Sequence, residues 1–128
     1  QEGYQVVTIK PSAIVCTIGS NISIPGVLAK AAQTLAEGCP LTAHLVWQQI
    51  ARARYLSLGQ VLQMEYAMSL NCCRHPEFSE GVRARLIDKD NQPHWHWPDI
   101  NTIPQAVVEA HFHKAWEGRH PLADLSDY

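Results

Sequence analysis

Charge is scarce in this chain: 17% of its 128 residues are charged, and the formal net charge is −2. The ten lysines and arginines are dispersed, with Arg52 and Arg54, then Arg83 and Arg85, the only close pairs. A nucleic-acid surface draws its affinity from counterions released by clustered basic side chains, so none is expected here. A phosphate-bearing small molecule needs only a few such groups. Long apolar runs are also missing: nothing approaches the roughly 18 residues of a membrane span. The start lacks the charged-then-apolar form of a signal peptide. The expectation is a soluble, cytoplasmic protein that does not engage a membrane. There is no internal repeat, no low-complexity tract and no glycine-rich phosphate loop. What is present is 46% hydrophobic residues, enough to build a core and too many for a disordered chain. The length suits one domain.

Four cysteines occur, at positions 16, 39, 72 and 73. Cys72 and Cys73 are neighbours in a helical pattern, where side chains point about 100° apart and do not readily bond. Free, mostly buried thiols are expected, as in a reducing compartment. The histidines raise a metal site, because His94-x-His96 and His111-x-His113 accompany Cys72, Cys73 and His75, and zinc accepts imidazole and thiolate. Histidines two apart on a helix face different ways, however, and no Cys-x-x-Cys is present. The reading is no metal and no cofactor. The segment His94–Trp97 reads as an aromatic lid, with Trp95 and Trp97 burying area and their indole N–H groups bonded to backbone.

Patterning predicts a mainly α protein, a bundle of about five helices, with two readings open for the front. Residues 4–9 and 13–18, rich in Val, Ile and Thr around Lys10-Pro11-Ser12, form either a short strand pair or a leader whose packing partner is elsewhere. Ser23 caps a first helix with Pro25 in its first turn, Val27, Leu28, Ala31, Ala32 and Leu35 on its apolar face, and Gly38 at its end. Pro40 opens a second, ending near Arg54. Ser57 and Gln60 form a capping box for a third, which stops at His75-Pro76. Pro76 opens a short fourth carrying Phe78, Val82 and Leu86. Residues 88–101 are a loop, Thr102 with Pro104 begins a fifth helix, and the polar tail from Glu117 is extended. This divides the chain into an N-terminal segment 1–22, a helical region 23–116 and a tail 117–128. The wide apolar stripe of Leu41, Leu45, Val46 and Trp47 asks for a partner beyond the neighbouring helices.

The stretch Glu77–Trp95, EFSEGVRARLIDKDNQPHW, carries the most specific information. Phe78, Glu80-Gly81, Val82-Arg83-Ala84, Leu86-Ile87-Asp88-Lys89-Asp90 and Pro93-His94-Trp95 together resemble the C-terminal signature of the 3-hydroxyisobutyryl-CoA hydrolases, a branch of the enoyl-CoA hydratase (crotonase) superfamily. The likeness extends back through Ser57–Leu62 and Met64-Glu65-Tyr66, and more weakly through Cys39–Thr42, so that it covers roughly residues 28–112. The first 25 or so residues have no counterpart in it. In that superfamily the chemistry is done in a preceding spiral core. The resemblance therefore implies the C-terminal helical part of an acyl-CoA thioester hydrolase of valine breakdown, with no catalytic residue in this segment and no activity alone. It implies the acyl-CoA substrate as a partner through that core, and the core or another subunit, including a homo-oligomer, as packing partner. Two alternatives stay open: a non-catalytic helical interaction module, and the C-terminal part of an enoyl-CoA hydratase or isomerase.

By the same resemblance, Lys89 and Arg83 are the candidates for contact with the phosphate end of coenzyme A, lysine as a mobile point charge and arginine as a two-point grip. The alternative for Lys89 is a solvated side chain between two aspartates. Glu80-Gly81 reads as a structural turn in which glycine permits close packing, and Glu65 as pairing with an arginine or capping a neighbour rather than acting as a base. Cys72, Cys73 and Ser57 lack the orienting groups of a nucleophile.

Overall fold

The computed structural model describes residues 26–125. The two strand-like runs, the Ser23 cap and Pro25 lie outside the described residues. Within them the chain is a helical bundle of five α-helices without a strand, as the patterning predicts. Helix α1 (Gly26–Glu37) ends at Gly38, whose N–H bonds the Thr34 carbonyl at 3.0 Å. A Cβ at Gly38 would stand 2.9 Å from that same carbonyl oxygen, so only glycine fits the stop. Helix α2 (Pro40–Ala53) follows at once, with Pro40 in the first turn, where no N–H is missed.

Helix α3 (Leu58–Arg74) starts at the expected capping box: Gln60 N–H donates to Ser57 Oγ at 3.3 Å, and Ser57 N–H donates to Gln60 Oε1 at 2.9 Å. It stops where Pro76 forces His75 into extended backbone, φ −84° and ψ 140°. His75 then caps helix α4 (Pro76–Val82), its Nδ1 accepting from Glu77 N–H. The chain does not simply continue as α-helix to Leu86. Residues Arg83–Ile87 widen into a π turn, closed by Asp88 N–H onto the Arg83 carbonyl at 2.8 Å. Such insertions are frequent at functional sites. After a loop and a 3₁₀ turn (Ile100–Thr102), Pro104 leads into helix α5 (Gln105–Ala110), slightly later than Thr102 would suggest because Asp99 caps the 3₁₀ turn first.

The core is small: Leu41 and Leu45 of α2 meet Ile103 and Val108, with Met68, Cys72, Trp97 and Phe112 around them. Asn71 of α3 fixes the end of α5 to this core, its Nδ2 donating to the carbonyls of His111 (3.0 Å) and His113 (2.9 Å), with Ala110 at 3.4 Å.

Two local expectations are corrected. Residues 118–125, the described part of the tail, are not extended: they fold back on α3, where Gln63 Nε2 donates to the Leu122 carbonyl at 2.9 Å and His120 meets the Gln63 carbonyl at 3.1 Å. The edge-to-face stack of Tyr66, Trp116 and His120 supplies the contact that a count of polar residues misses. Glu65 pairs with Gln49 rather than an arginine. The wide stripe on α2 is only partly covered: Val46 and Ile50 stay 44% and 66% exposed.

Candidate functional site

An open groove of about 390 Å³ lies between α2, the end of α3 and α4. Leu41 and Leu45 form its floor, Phe78, Val82, Leu86 and Trp95 its walls, and Arg85 is its one arginine or lysine. The volume is in the range of small-ligand pockets, and the lining is overwhelmingly apolar. Gly81 shapes one wall: a Cβ there would sit 3.2 Å from Trp95 Cη2, so the indole lies directly on the helix. This is the close packing expected of Glu80-Gly81.

Three polar groups that sequence reasoning did not single out for this place sit beneath the groove. Glu77, 6% exposed, turns inward from the first turn of α4 and accepts from His96 N–H at 2.6 Å and from the Cys39 thiol at 3.6 Å. A carboxylate suits the positive end of a helix. His75 holds its Nδ1 as acceptor, which leaves the proton on Nε2 in the neutral ring; burial, then the neighbouring His111, pull its pKa below the ordinary value. His111, 4% exposed, sets Nδ1 at 2.7 Å from the Val107 carbonyl, and its Nε2 is buried without a partner. The two imidazoles are 5.0 Å apart. His111 was legible in part, since it falls four residues after Val107, just past the end of α5; Glu77 leaves no pattern in the sequence.

Cys39 and Cys72 are half-buried free thiols whose pKa values burial pushes up, the direction that suppresses reactivity, whereas Cys73 is exposed. Among the described residues no three His, Cys, Asp or Glu side chains converge on a metal-sized position. Trp95 and Trp97 do pack over the bundle, Trp97 beside His75 and His96. The expected backbone bonds are not made, since among the described residues neither the Trp95 nor the Trp97 indole N–H has a hydrogen-bond partner; the indole buried without an acceptor is that of Trp116.

The two sequence candidates, Arg83 and Lys89, occupy one segment but differ in what is left to them. Arg83 donates from Nε and Nη2 to both oxygens of Glu80 (2.9 and 2.7 Å), from Nη1 to Asp88 (2.6 Å) and Asp90 (2.8 Å), and from Nη2 to the Gln92 carbonyl (3.1 Å). A guanidinium has five N–H donors, so the side chain is saturated. A phosphate could reach it only by displacing a carboxylate. Glu80 is held at a pKa of about 2, first by Arg83 and then by the His94 N–H it accepts; Asp90 is held low by Arg83 and the Gln92 N–H; Arg83 is itself pushed above its ordinary value. Lys89 sits exposed at the crest of the same loop with φ +56°, followed by Asn91 at +54°. It has no ion-pair partner among the described residues, and neither has Arg85. Glu80 and Glu65 are both engaged in structural bonds.

No helix of the described residues is long and apolar enough to cross a membrane. The family model Enoyl-CoA hydratase/isomerase matches residues 13–112. Among curated proteins, the chain is 38% identical over 81 residues to 3-hydroxyisobutyryl-CoA hydrolase, mitochondrial, of Dictyostelium discoideum, covering 62% of this chain and 21% of that one. It is 39% identical over 83 residues to the protein of the same name from Danio rerio, covering 65% and 22%. It is 33% identical over 91 residues to Small ribosomal subunit protein mS47 of Arabidopsis thaliana, covering 69% and 22%. The chain thus spans about a fifth of the length of the relatives it matches. On a match that takes in all five described α-helices, this chain belongs to the enoyl-CoA hydratase/isomerase family.

Proposed function

We propose that this chain is the C-terminal helical part of a 3-hydroxyisobutyryl-CoA hydrolase-like thioester hydrolase acting in valine breakdown. Its own work is to pack on the catalytic part, help close the acyl-CoA site and present Lys89 to the phosphate end of coenzyme A. The supporting observation is the apolar groove, lined on one segment by Phe78 and Leu86 at 51% and 68% exposure, with Ile87 next in the chain at 69%. Exposed apolar side chains grouped in this way on a small helical unit support a packing surface, and the relatives carry far more chain than is matched. A cytoplasmic address, expected from the sequence, stands as a proposal against the mitochondrial one in those relatives' names; cell fractionation decides it.

A second reading is favoured by one relative, which is named a ribosomal subunit protein. On that reading the helical region is a non-catalytic assembly module and the groove receives another protein. The test is to measure binding of the chain to the catalytic part of the Danio relative, made without its own matching segment. The hydrolase reading expects stable association that Phe78→Asp and Leu86→Asp abolish. No association, together with co-sedimentation of the chain with small ribosomal subunits, would replace it with the second reading.

A further inference from the structure

We propose that Arg83 is a positioning residue for Lys89: by binding both flanking aspartates it holds the Asp88–Gln92 loop in the conformation that lifts the lysine clear. The proposal rests on the reading of Lys89 as an anion contact. A lysine between two aspartates is a poor place for a phosphate, because both carboxylates repel it and compete for the ammonium. Here one oxygen of each aspartate turns onto Arg83 Nη1, at 2.6 and 2.8 Å, so both carboxylates are held by the π turn rather than by the lysine between them. The same guanidinium takes the Gln92 carbonyl, while Asn91 N–H reaches the Ala84 carbonyl at 3.0 Å and His94 N–H reaches Glu80. The loop is therefore tied at both ends to the π turn. Lys89 occupies a left-handed backbone position that a non-glycine residue keeps only when its surroundings impose it. Arg83→Lys would keep the charge but not the fork that reaches five oxygens.

The experiment uses the 128-residue chain with two readouts. Amide exchange reports the loop: in Arg83→Gln the Gln92 and His94 amides are expected to exchange on the order of tenfold faster, with core amides such as that of Val108 unchanged. Arg83→Lys falls between. Should Arg83→Gln fail to fold, Asp90→Asn removes one leg of the same clamp. Titration with adenosine 3′,5′-bisphosphate, the nucleotide head of coenzyme A, reports the ligand. Lys89→Ala and Arg83→Gln are expected to weaken it by similar factors, on the order of tenfold, with the double variant no worse than either. Unchanged exchange in Arg83→Gln, or Lys89→Ala weakening binding while Arg83→Gln does not, overturns the positioning role and leaves the Lys89 reading intact. Absence of binding, or full binding by Lys89→Ala, overturns the Lys89 reading itself and leaves Arg83 as a clamp alone.

Discussion

Asn71 carries the attachment of the α5 end to α3 through a single NH₂ group that faces three carbonyl oxygens, at 2.9, 3.0 and 3.4 Å. Two hydrogens make two good bonds and a weaker shared one. At about 0.5–1.5 kcal/mol net per bond, Asn71→Ala is expected to cost ~1–2 kcal/mol, since the freed carbonyls lie near the surface and regain some water. With a urea slope of roughly 1.5 kcal/mol per molar, that moves the unfolding midpoint down by about 1 M. Asn71→Asp tests the direction of the bonds. It is nearly the same shape but, when ionised, only accepts, and it would face three acceptors. At neutral pH it is expected to cost more than the alanine variant despite its better fit. The folded state then raises the introduced carboxyl's pKa above its unfolded value of about 3.9. The deficit is therefore fully present above the folded pKa and shrinks as pH falls to about 4 and below, where the protonated acid again has a hydrogen to give. Urea titrations of all three proteins across that range check this. An Asn71→Asp variant as stable as Asn71→Ala at pH 7, or a deficit that does not change with pH, would refute the assignment.

Three further outcomes follow from the same geometry. Glu80 is depressed to a pKa of about 2 in the folded chain, so its contribution is present above its unfolded pKa of about 4.3 and is lost as pH falls through about 2. The His94 amide, which it accepts, should stay protected through the ordinary carboxylate range in an NMR pH titration and lose protection only near the lower value. Gly81→Ala is expected to be close to neutral, because about 1 kcal/mol of helix propensity offsets the small shift asked of Trp95 at 3.2 Å. Gly81→Val should displace the indole, seen as lost stability and a red-shifted tryptophan emission; a valine variant as stable as the alanine one would contradict the packing. Leu45→Ala, at a site 3% exposed in a core with few other members, should cost ~2–5 kcal/mol in thermal or urea unfolding.

Most of the helix boundaries were legible because local chemistry sets them: the Ser57–Gln60 box, Pro40 and Pro76 at helix starts, and Gly38 at a stop that no Cβ fits. What could not be read is what depends on contacts far along the chain. The fold-back of the tail rests on Gln63 and Tyr66, more than fifty residues before His120 and Leu122. The π turn at Arg83–Ile87 has no propensity signature; it is closed by Asp88, and the Arg83 side chain beside it is met by Asp88, Asp90 and Gln92 from the following loop. That arrangement leaves Arg83 saturated and Lys89 without an ion-pair partner among the described residues, although both are basic residues of one motif. Glu77 reads as an ordinary surface acid in a helix's first turn, and only the approach of Cys39 and His96 shows that it points inward.

On the proposed function this helical region completes an acyl-CoA hydrolase without carrying its chemistry. The most direct test is to follow hydrolysis of 3-hydroxyisobutyryl-CoA by the chain alone, by the catalytic part of the Danio relative alone, and by the two mixed. No turnover is expected from the chain, weak or no turnover from the catalytic part, and a gain on mixing that Phe78→Asp abolishes. Turnover by the chain alone, or a catalytic part fully active and indifferent to the chain, would contradict it.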